Sequence, residues 1–220
     1  MFKKNLKKII IGSVVILLPM LAGLILWNKL PELLPTHWNA AGEVDGWGSR
    51  AMVVFGESLG LLAIHWLCAA VCFADPRNKG QSGKAMLLVL WVCPALSVLV
   101  GAATYLTALG LQPFSMDKIM FIFMGLLFIA IGNYLPKCRR NYTIGIKVPW
   151  ALDNEENWNA THRFAGKLWV GSGIATLLLA FLPWGEIGFW LSIGIILAAA
   201  VVSCVYSYIY YRKQLREGRR

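Results

Sequence analysis

Charge is scarce in this sequence and leans one way: Lys and Arg total 21 against 11 Asp and Glu, and charged residues make up 15% of 220 positions. Histidine occurs three times, with no HExxH pair and no cluster at metal-ligand spacing. A GxSxG elbow, a Walker loop and a paired glycine-rich phosphate cradle are all missing. The five cysteines, Cys68, Cys72, Cys93, Cys138 and Cys204, form no CxxC, and four of them lie in apolar runs where a thiol behaves as a small hydrophobe. These absences leave no constellation for catalysis. The expectation is a protein that is not an enzyme and takes no cofactor and no metal.

What is abundant is apolar sequence. Hydrophobic residues make up 58% of the chain, above the roughly 45–50% of a soluble domain, and a chain this short has no core large enough to hide the excess. Runs near span length, about 20 residues, recur at Ile9–Trp27, Ala51–Ala74, Ala85–Leu109, Ile119–Leu135, a shorter Leu168–Leu182, and Ile187–Tyr211. Lys3, Lys4, Lys7 and Lys8 before the first run imitate a signal peptide, but the run is long for one and more spans follow, so it is expected to stay as the first helix. Pro19 and Pro94 fall inside two runs, where proline kinks a helix.

The basic residues sort the connecting segments. Eighteen of the 21 lie at the N-terminus, in 75–84, in 136–167 and in the C-terminal tail, while Lys29, Arg50 and Lys118 occupy the alternate segments. The positive-inside rule then predicts cytoplasmic termini and outward-facing loops at 28–50, 110–118 and 183–186. The expected architecture is an all-α integral membrane protein of about six transmembrane helices, N-in/C-in, in one polytopic domain over 1–220. It has an ordered outer loop and a long cytoplasmic loop. Charge gathered at span ends, not along one face, also argues against direct nucleic-acid binding.

The outer loop carries unusual chemistry. Pro31 and Pro35 preset an extended path, and Asn39, Gly42 and Asp45-Gly46 are turn formers. The loop displays His37, Trp38 and Trp47 beside Glu43 and Asp45. One reading is a structural turn anchored in headgroups by its tryptophans; the other is a docking face for an external ligand. His37 with Asp45 offers two metal ligands, too few for a site.

The long inner segment reads Gly132-Asn133-Tyr134-Leu135-Pro136, then Asn141-Tyr142-Thr143-Ile144-Gly145-Ile146-Lys147-Val148-Pro149-Trp150. Thr143–Val148, β-branched and followed by proline, is expected to be extended. Asp153 with Glu156 resembles a capping box that opens a helix. That helix would carry Asn154, Trp158 and His162 on one face, continued by Gly166, with Arg163 and Lys167 at the membrane boundary. It serves either as an interfacial helix with Trp158 as anchor or as a surface for a cytoplasmic partner. Within the second run, Glu57 and His65 are ionisable groups at membrane depth. Structural roles are expected for both.

The two segments together resemble the SdpI family of bacterial immunity proteins. Leu30-Pro31, Leu34-Pro35-Thr36-His37-Trp38-Asn39, Gly42 and Asp45-Gly46 look like its N-terminal membrane module. Gly132-Asn133-Tyr134-Leu135-Pro136, Asn141-Tyr142, Ile144-Gly145-Ile146-Lys147, Pro149-Trp150, Leu152, Glu155, Trp158, Thr161-His162-Arg163 and Gly166-Lys167 look like its C-terminal signature. One departure is Val148, where Thr is common. The resemblance divides the chain into a two-helix module at 1–84 and a four-helix region at 85–220. It implies a multi-pass protein of the bacterial plasma membrane that protects the cell from a secreted toxic peptide. It also implies a signalling role in which a small winged-helix repressor is held at the membrane from the cytoplasm. On that basis His37, Trp38, Asn39, Gly42, Asp45 and Gly46 are expected to face toxin. Asn133, Pro136, Asn141, Gly145, Lys147, Pro149, Trp150, Glu155, Trp158, His162, Arg163 and Gly166 are expected to face the repressor. The alternative is a small transporter for a peptide or lipid that uses Glu57 and His65.

Overall fold

The computed structural model describes residues 2–81, 83–111 and 115–218. Arg219, Arg220 and positions 112–114 of the expected outer loop 110–118 lie outside the described residues, as do the side chains of Lys3, Lys4 and Lys79. The elements run α1 (Phe2–Ile25), β1 (Leu33–Trp38), β2 (Val44–Ser49), a π-helical turn (Met52–Gly56), α2 (Glu57–Ala74), α3 (Gly83–Ala108), α4 (Met116–Tyr134), α5 (Pro149–Asp153), α6 (Glu155–Leu179) and α7 (Gly185–Arg216). Short 3₁₀ turns occupy Pro76–Gly80 and Leu135–Lys137.

The chain is an all-α membrane protein with one small hairpin. Asn5–Ile25, Met52–Ala74, Gly83–Ala108, Met116–Lys137 and Gly185–Arg216 are long and apolar enough to cross a bilayer. The remaining run, Leu168–Leu182, enters α6, whose first half is polar with Glu155, Glu156, Asn157, Asn159, His162 and Arg163. The helix stops at Leu179, so its apolar half alone is short for a span.

The chain forms two compact units, 1–73 with 89–117, and 74–88 with 118–220. In lipid the hydrophobic effect gives helices little reason to associate, so packing of small residues and interhelical hydrogen bonds must hold them. The first unit follows this rule. His65 Nε2 lies 3.2 Å from Ile9 O, Ser97 Oγ donates to Ile16 O at 2.9 Å, and Tyr105 Oη donates to Pro19 O at 3.0 Å. Three side chains from α2 and α3 thus grip the backbone of α1. Gly12 makes the histidine contact feasible, since a Cβ there would sit 2.9 Å from His65 Cε1.

The segment 28–50, for which the sequence predicts an ordered loop, holds a β-hairpin. Leu33 pairs with Ser49, Leu34 with Gly48, Pro35 with Trp47, His37 with Gly46 and Trp38 with Val44, with irregularities on both sides of His37. Pro35, Gly46 and Gly48 disguise the strands, because proline and glycine are poor strand formers. The expected turn chemistry does appear. Asn39 Oδ1 accepts from Ala41 N and Glu43 N, both at 3.0 Å, and Gly42 takes φ +80°. At the base Arg50 N donates to Glu32 O at 2.8 Å. The Arg50 guanidinium lies 4.9 Å from the Trp27 ring centroid and bonds Trp27 O. A cation there is well placed just past the C-terminal end of α1. Leu30, Leu34, Val53, Val54 and Tyr105 form the apolar cluster beneath.

In the second unit α4 and α6 meet backbone to backbone. A Cβ on Gly132 would lie 2.6 Å from Val170 N and 2.7 Å from Gly166 O, and Gly125 meets Gly173 in the same way. The seven-residue spacing in both helices repeats the contact two turns along. Helices α6 and α7 are joined by a buried polar pair: Asn157 Nδ2 donates to Ser207 O at 3.0 Å, and Ser207 Oγ donates to Asn157 Oδ1 at 2.7 Å.

Two local expectations are corrected here. The N-cap of α6 is Asn154, whose Oδ1 accepts from Asn157 N at 2.9 Å. Asp153 instead closes α5, because Pro149 at a favoured first-turn position starts a separate short helix. Thr143–Val148 is not a regular extended stretch: Thr143–Gly145 bends, with Gly145 at φ +109°, and Val148 alone is shown extended, ahead of Pro149. Its β propensity loses to the side-chain hydrogen bonds described next.

Candidate functional site

The signature segment is folded around a few polar side chains. Asn141, fully buried, donates through Nδ2 to Arg139 O (2.8 Å) and Ile144 O (2.9 Å), and accepts at Oδ1 from Thr143 N (2.8 Å) and Ile144 N (2.6 Å). One amide therefore satisfies four backbone groups and bends the chain into a tight loop. Asp75 pins the loop from the 3₁₀ turn: its Oδ2 accepts from Tyr142 N at 2.7 Å, and its Oδ1 accepts from Arg77 N at 2.9 Å. The Arg77 guanidinium sits 4.1 Å from the Tyr142 ring centroid, and Asn78 Nδ2 donates to Thr143 Oγ1 at 2.6 Å. Gln81 and the Arg139 backbone exchange two hydrogen bonds, at 2.8 and 3.0 Å.

Helix α6 supplies the floor. Trp158, 0% exposed, donates from Nε1 to Cys138 O at 2.8 Å. It stacks on His162 with ring centroids 4.0 Å apart. His162 Nδ1 bonds Trp158 O at 2.8 Å, and its Nε2 accepts from Ile146 N at 3.0 Å. Those partners require the neutral ring protonated at Nδ1. Burial agrees, holding the His162 pKa down at about 4. Gly145 must be glycine twice over, since its φ is positive and a Cβ would meet His162 Nε2.

The inner residues picked from the sequence therefore separate by position. Asn141, Trp158, His162 and Gly166 are buried. Trp158 is consequently a core strut and not a membrane anchor. Asn133, Pro136, Lys147, Pro149, Glu155 and Arg163 are exposed, with Gly145 and Trp150 between. Trp150 packs against Tyr208 (5.3 Å) and Tyr211 (6.3 Å) of α7. Asp75, Asn78, Gln81 and Asn157 were missed. The signal that pointed to the first was available: Asp-Pro followed by Asn and Gly is a turn-starting pattern whose aspartate caps the turn.

In the hairpin, His37 Nδ1 and Asp45 Oδ1 lie 2.5 Å apart across the strands, and both side chains are open to solvent. Trp47 is 56% exposed. Trp38, Asn39, Gly42 and Gly46 are half-buried, and Trp38 Nε1 is buried without a hydrogen-bond partner. His37, Asp45 and Trp47 thus form an exposed polar and aromatic edge, while Asn39 and Gly42 shape the turn. His65 is 1% exposed and bonded within the helix bundle, whereas Glu57 Oε1 is buried with no partner.

Apolar helices of span length, together with a compact signature loop, define a multi-pass cell-membrane protein. The model of the SdpI/YfhL protein family matches residues 137–207, and that of a domain of unknown function (DUF1648) matches residues 14–57. Immunity protein SdpI of Bacillus subtilis (strain 168) is 28% identical over 213 residues, which covers 94% of this chain and 98% of that relative. The likeness to the SdpI family is thus carried by the C-terminal match and by one near full-length relative. The DUF1648 match ends at Glu57 and takes in the hairpin, and the SdpI/YfhL match spans the Asn141–His162 loop and the Asn157–Ser207 pair. No solved structure matches the chain.

Proposed function

We propose that this protein is a membrane immunity protein that shields a bacterium from a secreted toxic peptide, without enzymatic chemistry. The observation that carries the reading is the near full-length similarity to an immunity protein. The charge asymmetry supports an external hairpin, with His37, Asp45 and Trp47 as the peptide-facing edge. An aromatic next to a hydrogen-bonded polar pair suits an amphipathic peptide at a membrane surface.

The finer part of the proposal is a signalling role. The cytoplasmic 136–167 segment would hold a small winged-helix repressor when toxin is bound outside. Its exposed groups, Lys147, Pro149, Glu155 and Arg163, are the contact set, and buried Asn141, Trp158 and His162 act by fixing the loop. Coupling requires that toxin bind one of two conformations more tightly. Transport through Glu57 and His65 is the second reading. It is weakened by His65, whose ring is engaged with Ile9 O.

The test is survival of toxin-sensitive cells that express the chain. Protection against a cognate peptide supports the reading, and failure to protect against any secreted peptide encoded beside the gene overturns it. The signalling half is tested by fluorescence of a tagged repressor, which must move to the membrane only when toxin is added.

A further inference from the structure

Within the first unit, a cavity of about 320 Å³ lies against the hairpin. Strand β1 lends it Pro35 and Thr36, the π-helical turn and the start of α2 lend Val53 and Glu57, and α3 lends Val100 and Thr104. The volume is of the order that holds a small ligand or a side chain of one. Its walls are apolar apart from one carboxylate and two hydroxyls.

Glu57 is the one acidic residue on its walls. Its Oε1 is buried and has no hydrogen-bond partner among the described residues. Three other polar side chains of this unit are committed: His65 to Ile9 O, Ser97 to Ile16 O and Tyr105 to Pro19 O. A buried carboxyl oxygen left unpaired is costly, so a donor seated beside it would gain a hydrogen bond that the described residues do not supply. The residues just before Glu57, Met52–Gly56, form a π-helical turn, a feature often found where a helix is bent to a function.

We propose that this cavity receives a primary ammonium group carried on an apolar body, with Glu57 as its counter-ion. One buried carboxylate oxygen is enough to hold a compact point charge such as an ammonium. Calcium and magnesium need about six or more oxygens and zinc about four ligands, and among the described residues no group of three His, Cys, Asp or Glu gathers to hold a metal. The apolar walls take the body that carries the amine. Two sources share this chemistry, the amine of a peptide and the headgroup of an aminophospholipid. The peptide source rests on the immunity reading above; the cavity chemistry does not.

The experiment uses the full chain in phosphatidylcholine nanodiscs and the fluorescent amine dansylcadaverine, with N-acetyl-dansylcadaverine as its neutral twin. Saturable binding of the amine is expected, weaker by about tenfold or more for the acetylated probe and for Glu57→Gln, as loss of a charge-assisted hydrogen bond predicts. Glu57→Asp should retain part of the affinity. Equal binding of the two probes by the unaltered chain overturns the proposal, and that comparison does not depend on any variant folding. Equal binding by Glu57→Gln also overturns it. Competition by added phosphatidylethanolamine assigns the site to a lipid headgroup, and competition by the toxin but not by its amine-blocked form assigns it to the peptide. Glu57-dependent probe binding in a chain that protects no cell would sink the immunity reading and leave the cavity proposal standing.

Discussion

His162 Nε2 accepts the backbone N–H of Ile146 at 3.0 Å, and this bond ties the signature loop to α6. A proton on Nε2 would break it. The folded pKa is about 4, below the ordinary 6.5, so between those values the opened loop binds a proton and the closed loop does not. The closed loop is therefore fully stable above about pH 6.5 and loses up to roughly 3 kcal/mol as pH falls toward 4. Hydrogen exchange at the Ile146 amide, corrected for intrinsic rates, should show protection falling through that window. In His162→Gln, which keeps an acceptor but cannot titrate there, the slope should vanish. Flat protection in the unaltered chain would contradict the assignment.

Glycine-to-alanine changes in the second unit should divide sharply. Gly132→Ala drives a Cβ to within 2.6 Å of Val170 N and 2.7 Å of Gly166 O, both backbone atoms, so the helices must separate. A loss of about 2 kcal/mol or more is expected, the range of overpacking into a rigid site. Gly171→Ala in the same α6 has open space around its Cβ and should be neutral or gain up to about 1 kcal/mol from helix propensity. Thermal unfolding of both variants in one detergent measures the difference.

Asn157→Ala should cost about 2–4 kcal/mol. It leaves Ser207 Oγ and Thr161 Oγ1 without their shared acceptor and removes the donor to Ser207 O, all in a buried setting. Pairing it with Ser207→Ala should cost much less than the sum of the two single changes. Additive losses on thermal denaturation would show that the two residues do not act as a unit.

The charge-derived orientation is directly measurable. A cysteine at exposed Ala41, in the hairpin turn, should react with a membrane-impermeant maleimide on intact cells, and one at exposed Lys147 should react only after permeabilisation. The opposite pattern reverses both functional assignments.

Helix positions were legible because apolar runs and their basic flanks carry the signal directly, as at Ile9–Trp27 and Ile187–Tyr211. The hairpin was half legible. Asn39 and Gly42 announced its turn, but Pro35, Gly46 and Gly48 erased the strand pattern. The loop at Asn141 was visible as a motif and not as a mechanism, since four backbone partners of one amide leave no periodic trace. Asp75 and Gln81 lie more than 50 residues before Tyr142 and Arg139, so only folding brings them together. The missed N-cap at Asn154 was a contest between adjacent capping residues, decided by Pro149 starting a helix of its own.

Survival of cells expressing hairpin variants decides whether the hairpin edge meets the toxic peptide. His37→Ala with Trp47→Ala removes two exposed groups of the hairpin edge. The account predicts that protection is lost while the amount of protein in the membrane is unchanged. Full protection by this variant at equal membrane abundance would contradict it.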